Sequence, residues 1–228
     1  MKLQERTLKT ERYYVFGMPS EEVNQHIREL WGHPNIQSLG IHLHRKTQNV
    51  AEWNYAQELA QLIDKDVMEI IDAINIGGGL PSTYTNTNTH VLPGIFAQLQ
   101  TLRTYLHEQE IQLIIEPGRY IAAPAGKLHT SIILIHKDTI VVDASVYNSD
   151  MDALIVPVKL LVQGETTKAK GKPYIIKGRT PCSMDLFRYK VYLHTPKTGA
   201  EIVFLNAGAY NFTTDFCHLP IIPTKVIP

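Results

Sequence analysis

Ile70-Ile71-Asp72-Ala73-Ile74-Asn75-Ile76-Gly77-Gly78-Gly79 is an apolar run that stops on three consecutive glycines. A short apolar segment closed by a glycine turn reads as a strand buried on both faces. Upstream of it, Ile36 to Leu43 reads as another strand, and Trp53, Ala56, Leu59, Ala60 and Ile63 then recur at helical spacing. Downstream, Ile95, Phe96, Leu99, Leu102 and Leu106 share one helix face with Arg103 and Glu108 off it, and that helix leads into the apolar run Ile111 to Ile115. Buried strands separated by helices imply parallel pairing through right-handed crossovers, so residues 20–119 are expected to form consecutive β/α units. Three such units do not close an eight-fold barrel, which takes about 250 residues. The alternatives are a small open sheet or part of a barrel.

Beyond residue 125 the pattern changes. Thr130 to Ile135, Thr139 to Asp143, Ile155 to Val162, Tyr174 to Ile176, Tyr189 to Leu193 and Glu201 to Leu205 read as strands separated by Gly, Pro and charged turns. The expected organisation is therefore α/β plus all-β: a partial (β/α) barrel of about three units over residues 1–124, then an antiparallel β-domain over 125–228. The Thr/Asn run from Thr83 to Thr89 reads as a short polar loop.

Composition narrows the functional classes. The chain has 228 residues, is 44% apolar, and balances 22 Lys and Arg against 22 Asp and Glu. That is the composition of a globular protein, with no basic excess to favour nucleic acid or an anionic membrane surface. No apolar stretch reaches the roughly 18 residues needed to cross a bilayer, and the polar start MKLQERTLKTER does not read as a signal peptide. A cytoplasmic protein is expected, with Cys182 and Cys217 as free thiols.

Three motifs stand at strand ends, where parallel β/α folds place their ligands. Gly77-Gly78-Gly79 permits close backbone approach, and its N–H groups can nest around phosphate oxygens. It is not a dinucleotide fingerprint, because the G-x-G-x-x-G spacing is missing. Glu116-Pro117-Gly118-Arg119 aims an acid and a guanidinium at the rim after a buried strand; taken alone it is equally a local ion pair. Ile41-His42-Leu43-His44 puts two imidazoles on one side of a strand end.

The order of the pieces carries more than any one of them. The His-strand, G-G-G, E-P-G-R, Asp143 to Tyr147, Gly178 to Asp185 (with Thr180-Pro181-Cys182-Ser183-Met184-Asp185) and Gly208-Ala209-Tyr210 occur in the sequence of the ornithine/diaminopimelate/arginine decarboxylases. The resemblance runs from about Phe16 to Phe216. It implies a fold-type III enzyme, with a β/α-barrel followed by a β-domain, that depends on pyridoxal 5'-phosphate (PLP) and needs no metal. Its substrate would be a small amino acid, basic or diaminopimelate, converted to an amine and carbon dioxide.

By the same resemblance, His44 stacks on the pyridine ring and Glu116 pairs with its nitrogen, keeping the cofactor an electron sink. Gly77, Gly78, Gly79, Arg119 and Tyr210 hold the phosphate, with a further hydroxyl contact from Thr47. Asp143, Cys182 and Asp185 fall in the strip that meets substrate or the neighbouring subunit's site, which implies a dimer. An E-P-G-R glutamate separates this branch from the racemases of related fold, which pair the pyridine nitrogen with Arg.

The chain also departs from the family pattern. The Schiff-base lysine is expected in a Tyr-Ala-x-Lys strand well before the His-strand, and no such strand precedes His44. Lys46 is expected to be a loop cation, and Lys159 belongs to the β-domain. Lys46-Thr47 replace the usual Gly-Ser, and Cys182 stands three rather than four residues before Asp185. The expected function is accordingly the C-terminal portion of a PLP-dependent amino-acid decarboxylase, inactive by itself, that works with a separately encoded N-terminal portion carrying the lysine. The alternative is a catalytically silent chain that binds PLP or a full-length homologue. The segment after Tyr210 lacks an arginine for a distal carboxylate, which favours a basic amino acid over diaminopimelate.

Overall fold

The structure is a computed structural model that describes residues 17–43 and 55–227. Among these, the residues up to Pro81 group with His90–Gly118 into a first compact unit, and Ser82–Thr89 groups with the residues from Arg119 onward into a second.

The first unit begins with α1 (Ser20–Leu30), which carries Glu21 and Glu22 in its first turn and Arg28 in its last. That arrangement matches the helix dipole. Val23 and Ile27, one turn apart, form its buried stripe. Strands β1 (Gly40–His42), β2 (Ala73–Asn75) and β3 (Gln112–Ile114) pair parallel in the order β1-β2-β3. Helices α2 (Tyr55–Leu62) and α3 (Lys65–Met68) connect the first two strands, and α4 (Leu92–His107) connects the second to the third. These are the β/α units that the apolar periodicity predicts. The central strand is the most buried, with Ile74 in it and Ile76 just past its end almost without exposed surface. Pro93 in the first turn of α4 removes an N–H that would have no partner there, and Ile95, Leu102 and Leu106 bury the inner face of that helix.

A short helix, α5 (Gly118–Ala122), belongs to the second unit from Arg119 onward. Six strands follow: β4 (Leu128–His136), β5 (Thr139–Val142), β6 (Leu161–Val162), β7 (Lys172–Lys177), β8 (Leu186–Leu193) and β9 (Glu201–Leu205). They form one sheet in the order β6-β9-β4-β5-β7-β8. The core is aliphatic around Ile132, Ile140, Val142, Leu160 and Ile176, with Phe187 stacked on Phe204 at 4.6 Å between centroids.

Two expectations are corrected here. The sheet is mixed rather than antiparallel, because β5 pairs parallel with β7. A parallel pair needs a long crossover, which residues 143–171 supply with two helical turns, α6 (Val146–Ser149) and α7 (Asp152–Ile155), and with β6. The strand expected from Ile155 to Val162 is reduced to β6. Its first half leaves the ladder because its backbone is satisfied elsewhere. The Pro157 carbonyl accepts from Asn86 Nδ2 at 3.0 Å, the Lys159 N–H donates to Asn86 Oδ1 at 2.9 Å, and the Lys159 carbonyl accepts from the Thr85 N–H at 2.9 Å. Proline, with no N–H to give a ladder, fits that detour.

Candidate functional site

In the first unit, Asn75 closes β2 and its amide works in two directions. Nδ2 donates to Glu116 Oε1 at 2.8 Å, and Oδ1 accepts from the Gly77 N–H at 2.8 Å. The Glu116 N–H in turn donates to the Gly77 carbonyl at 2.8 Å. One side chain therefore ties the glycine turn after β2 to the carboxylate after β3. Glu116 is exposed, and its second oxygen, Oε2, has no partner among the described residues.

The three glycines are demanded by this geometry. Gly77 and Gly79 have φ of 68° and 117°, where a side chain is strained. A Cβ on Gly78 would lie 2.7 Å from the Glu116 carbonyl oxygen. Among the described residues the N–H groups of Gly78 and Gly79 donate to no backbone carbonyl, which leaves a turn able to receive an anion. His44 and Thr47, together with Lys46, lie outside the described residues.

In the second unit, Arg119 is buried, and Asp152, itself buried, takes both Nη groups of its guanidinium. Nη1 also donates to the Tyr84 hydroxyl at 3.2 Å. The guanidinium carbon lies 5.7 Å from the Tyr84 ring centroid and 4.7 Å from that of Tyr210. Burial pulls the Arg119 pKa down, but the hydrogen bonds to Asp152 and Tyr84 together hold it above the ordinary arginine value. Tyr210 is exposed and left-handed at φ 57°. Its approach is set by Gly208, whose missing side chain lets it pack on Gly126; a Cβ on Gly126 would meet Gly208 Cα at 2.6 Å.

Asp143, Cys182 and Asp185 have three different environments in that unit. Asp143 is exposed at the end of β5, where Oδ1 accepts from the Ser131 N–H at 2.8 Å. Asp185 has no exposed surface. Its Oδ1 accepts from the Val146 N–H at 2.9 Å, and its Oδ2 accepts from the Thr180 N–H at 3.0 Å and from Thr180 Oγ1 at 2.7 Å. Its carboxylate is committed to holding the loop that carries Cys182. The thiol of Cys182 lies 2.9 Å from the Tyr147 hydroxyl. That hydrogen bond, helped by the Met184 backbone, holds the thiol pKa below its usual value, and the Tyr147 phenol is pushed up to about 12 by the same contact. Either group can be the donor in this contact.

Comparison with known proteins matches residues 4–123 to the family model of the pyridoxal-dependent decarboxylase, pyridoxal binding domain. The chain belongs to this family. The cofactor of the family is PLP. Among curated relatives, diaminopimelate decarboxylase of Aquifex aeolicus is 26% identical over 220 residues, covering 90% of this chain and 52% of its own length. A probable chloroplastic diaminopimelate decarboxylase of Oryza sativa is 27% identical over 207 residues, covering 86% and 42%. The chain thus spans about half the length of the curated relatives it matches. Among solved structures, lysine/ornithine decarboxylase of Vibrio vulnificus with cadaverine aligns at a TM-score of 0.69 and 22% identity, over 94% of this chain and 61% of that one. Lysine decarboxylase of Selenomonas ruminantium aligns at 0.71 and 21%, over 94% and 58%. At such identities the likeness is one of fold.

Two observations of the structure suit a phosphorylated pyridine. Among the described residues, the Gly77–Gly79 turn has unpaired N–H groups next to a carboxylate with one unpartnered oxygen. Separately, the Arg119 Nε–H is buried without an acceptor among the described residues, a costly state unless an anion completes it. Asn75, Tyr84 and Asp152 carry no role in the sequence reading. Asn75 is visible in retrospect as an amide ending an apolar strand, and Asp152 as the second acid of Asp150-Met151-Asp152. Nothing in the sequence pairs Asp152 with an arginine 33 residues earlier.

Proposed function

We propose that this chain supplies part of the cofactor pocket of a PLP-dependent amino-acid decarboxylase, and that the lysine holding the cofactor comes from sequence outside these 228 residues. When bound, PLP provides an electron sink for the charge left as carbon dioxide departs. In this reading Glu116 presents Oε2 to the pyridine nitrogen while Asn75 fixes Oε1. The Gly78 and Gly79 N–H groups take phosphate oxygens, and Arg119, flanked by Tyr210, supplies a cationic donor to the phosphate. His44 would stack on the ring and Thr47 would add a hydroxyl. Cys182, with its lowered pKa, is the group suited to move a proton at substrate, with Tyr147 as its hydrogen-bond partner. Asp143, exposed at the end of β5, would face substrate or a neighbouring subunit.

The observation that carries this reading is the Asn75–Glu116 hydrogen bond beside the glycine turn, within a segment matched to the pyridoxal binding domain. The substrate we propose is a basic amino acid rather than diaminopimelate, because the segment after Tyr210 offers no arginine for a distal carboxylate. The partner is a portion that bears the lysine, either separately encoded or within a full-length homologue, assembled as a homo- or hetero-oligomer. Mass spectrometry of the amine released from lysine, ornithine, arginine or diaminopimelate, with that portion supplied, tests the proposal. Release from a basic amino acid supports it, and no amine from any of the four contradicts it.

One observation favours a second reading, a catalytically silent chain that binds PLP or a full-length relative. Asp185, expected in the substrate strip, is buried and spends its carboxylate on Val146 and Thr180. PLP binding without amine release would select this reading.

A further inference from the structure

A guanidinium carries five N–H bonds, and in Arg119 the structure accounts for three. Nη1 gives one to Asp152 and one to Tyr84, and Nη2 gives one to Asp152 Oδ1 at 3.0 Å. The Nε–H is buried and has no acceptor. Nε–H and the second N–H of Nη2 lie parallel along the one edge of the plane that Asp152 does not cover. Two parallel N–H bonds match two oxygens of a phosphate.

We infer that Asp152 is a positioning residue: by holding both Nη groups it fixes the guanidinium so that the Nε/Nη2 edge, rather than the end of the side chain, is what meets a phosphate. The inference rests on the reading of Arg119 as a phosphate ligand.

The alternative, in which phosphate displaces Asp152, is disfavoured by how Asp152 is held. It is 2% exposed and sits in α7, its N–H bonds to Asn211 Oδ1 at 3.1 Å, and its carboxylate has no other side-chain partner. Displacement would strand a buried carboxylate without a counter-charge. The Tyr84 and Tyr210 rings lie 5.7 and 4.7 Å from the guanidinium carbon, and the two-point contact with Asp152, with the Tyr84 hydroxyl on Nη1, fixes the orientation of the guanidinium. Because Asp152 neutralises Arg119, the site would depend on geometry more than on net charge.

The test uses the 228-residue chain, 15N-labelled at arginine, titrated with inorganic phosphate and with PLP. The Arg119 Nε–H resonance is expected to shift saturably with either probe. Asp152→Asn removes one acceptor and frees the edge, so phosphate binding should weaken about tenfold, the worth of one charge-assisted hydrogen bond. In an Arg119→Lys background, which has no such edge, the same substitution should change affinity by less than about twofold. Tighter binding by Asp152→Asn would mean that Asp152 competes with the anion, and would overturn the inference. Bound phosphate with an unmoved Nε–H resonance would overturn it too, and that measurement needs no variant to fold. Failure of the unmodified chain to bind either probe would instead remove the phosphate reading of Arg119 itself.

Discussion

Asp150 gives the prediction whose size follows most directly from the structure. Its side chain is 1% exposed, Oδ1 accepts from Asn211 Nδ2 at 3.1 Å, and Oδ2 is buried without a partner. Burial is the largest influence and the nearby Asp152 adds to it. The Asn211 hydrogen bond and the Lys159 charge only partly oppose them, and the carboxyl pKa is raised from 3.8 to about 7. The folded chain therefore keeps a proton that the unfolded chain has released. Below about pH 4 both states are protonated and stability is at its full value. As pH rises from there to about 7 the folded state binds the extra proton, so stability falls, by up to ~1.4 kcal/mol per pH unit. Over a shift of about three units this amounts to ~4 kcal/mol, all of it lost above pH 7. Asp150→Asn is isosteric and neutral throughout, so it should be markedly more stable than the wild type at pH 8 and close to it at pH 4. Urea unfolding of both proteins from pH 4 to 9 reads the difference. Parallel stability profiles would refute the argument, because they would mean that Asp150 titrates alike in the folded and unfolded chains.

Other consequences are open to measurement. Replacing Tyr147 by Phe removes the hydrogen bond that lowers the Cys182 pKa. Iodoacetamide labelling of Cys182 at pH 7.5, followed by peptide mass spectrometry with Cys217 as internal control, should slow by roughly threefold or more; an unchanged ratio would contradict that effect of Tyr147. Asp185→Ala leaves the Val146 and Thr180 donors without their acceptor, and should cost roughly 3 kcal/mol in denaturant unfolding. A loss below about 0.5 kcal/mol would mean that the carboxylate does not clamp the loop. The chain by itself should release no amine from ornithine, lysine, arginine or diaminopimelate, and amine from the isolated chain would show that the lysine-bearing portion is not required.

The sequence made the first unit legible where burial dictates periodicity. Ile74 in the central strand and Ile76 just past its end, and Ile95, Leu102 and Leu106 on α4, are apolar at the spacing needed there because each packs into the core. The glycine turn was legible for a related reason, since only glycine tolerates the φ values and contacts found there. Long-range polar pairing was not. Arg119 reads as a phosphate ligand or as the ion-pair partner of Glu116, with no sign that Asp152 fills its end, and Asp185 reads as a substrate-facing acid until Val146 and Thr180 are seen to use it. The segment from Ile155 to Val162 is apolar enough for a strand, yet Asn86, about seventy residues earlier, takes up its backbone groups. That loop had offered only its polarity as a clue, and local propensity has no access to such a competitor.

The account stands most directly on Glu116. In the enzyme assembled with its lysine-bearing portion, turnover of a basic amino acid should be compared at saturating PLP for the wild type and Glu116→Gln, with PLP affinity measured alongside. The carboxylate is assigned to hold a proton on the pyridine nitrogen, an interaction that strengthens as charge moves into the ring, so its loss should appear in turnover. We predict a fall of roughly 100-fold or more in turnover, with cofactor affinity changed by less than about tenfold. Near-normal turnover once PLP is saturating would contradict the assignment and reduce Glu116-Pro117-Gly118-Arg119 to a structural strand end.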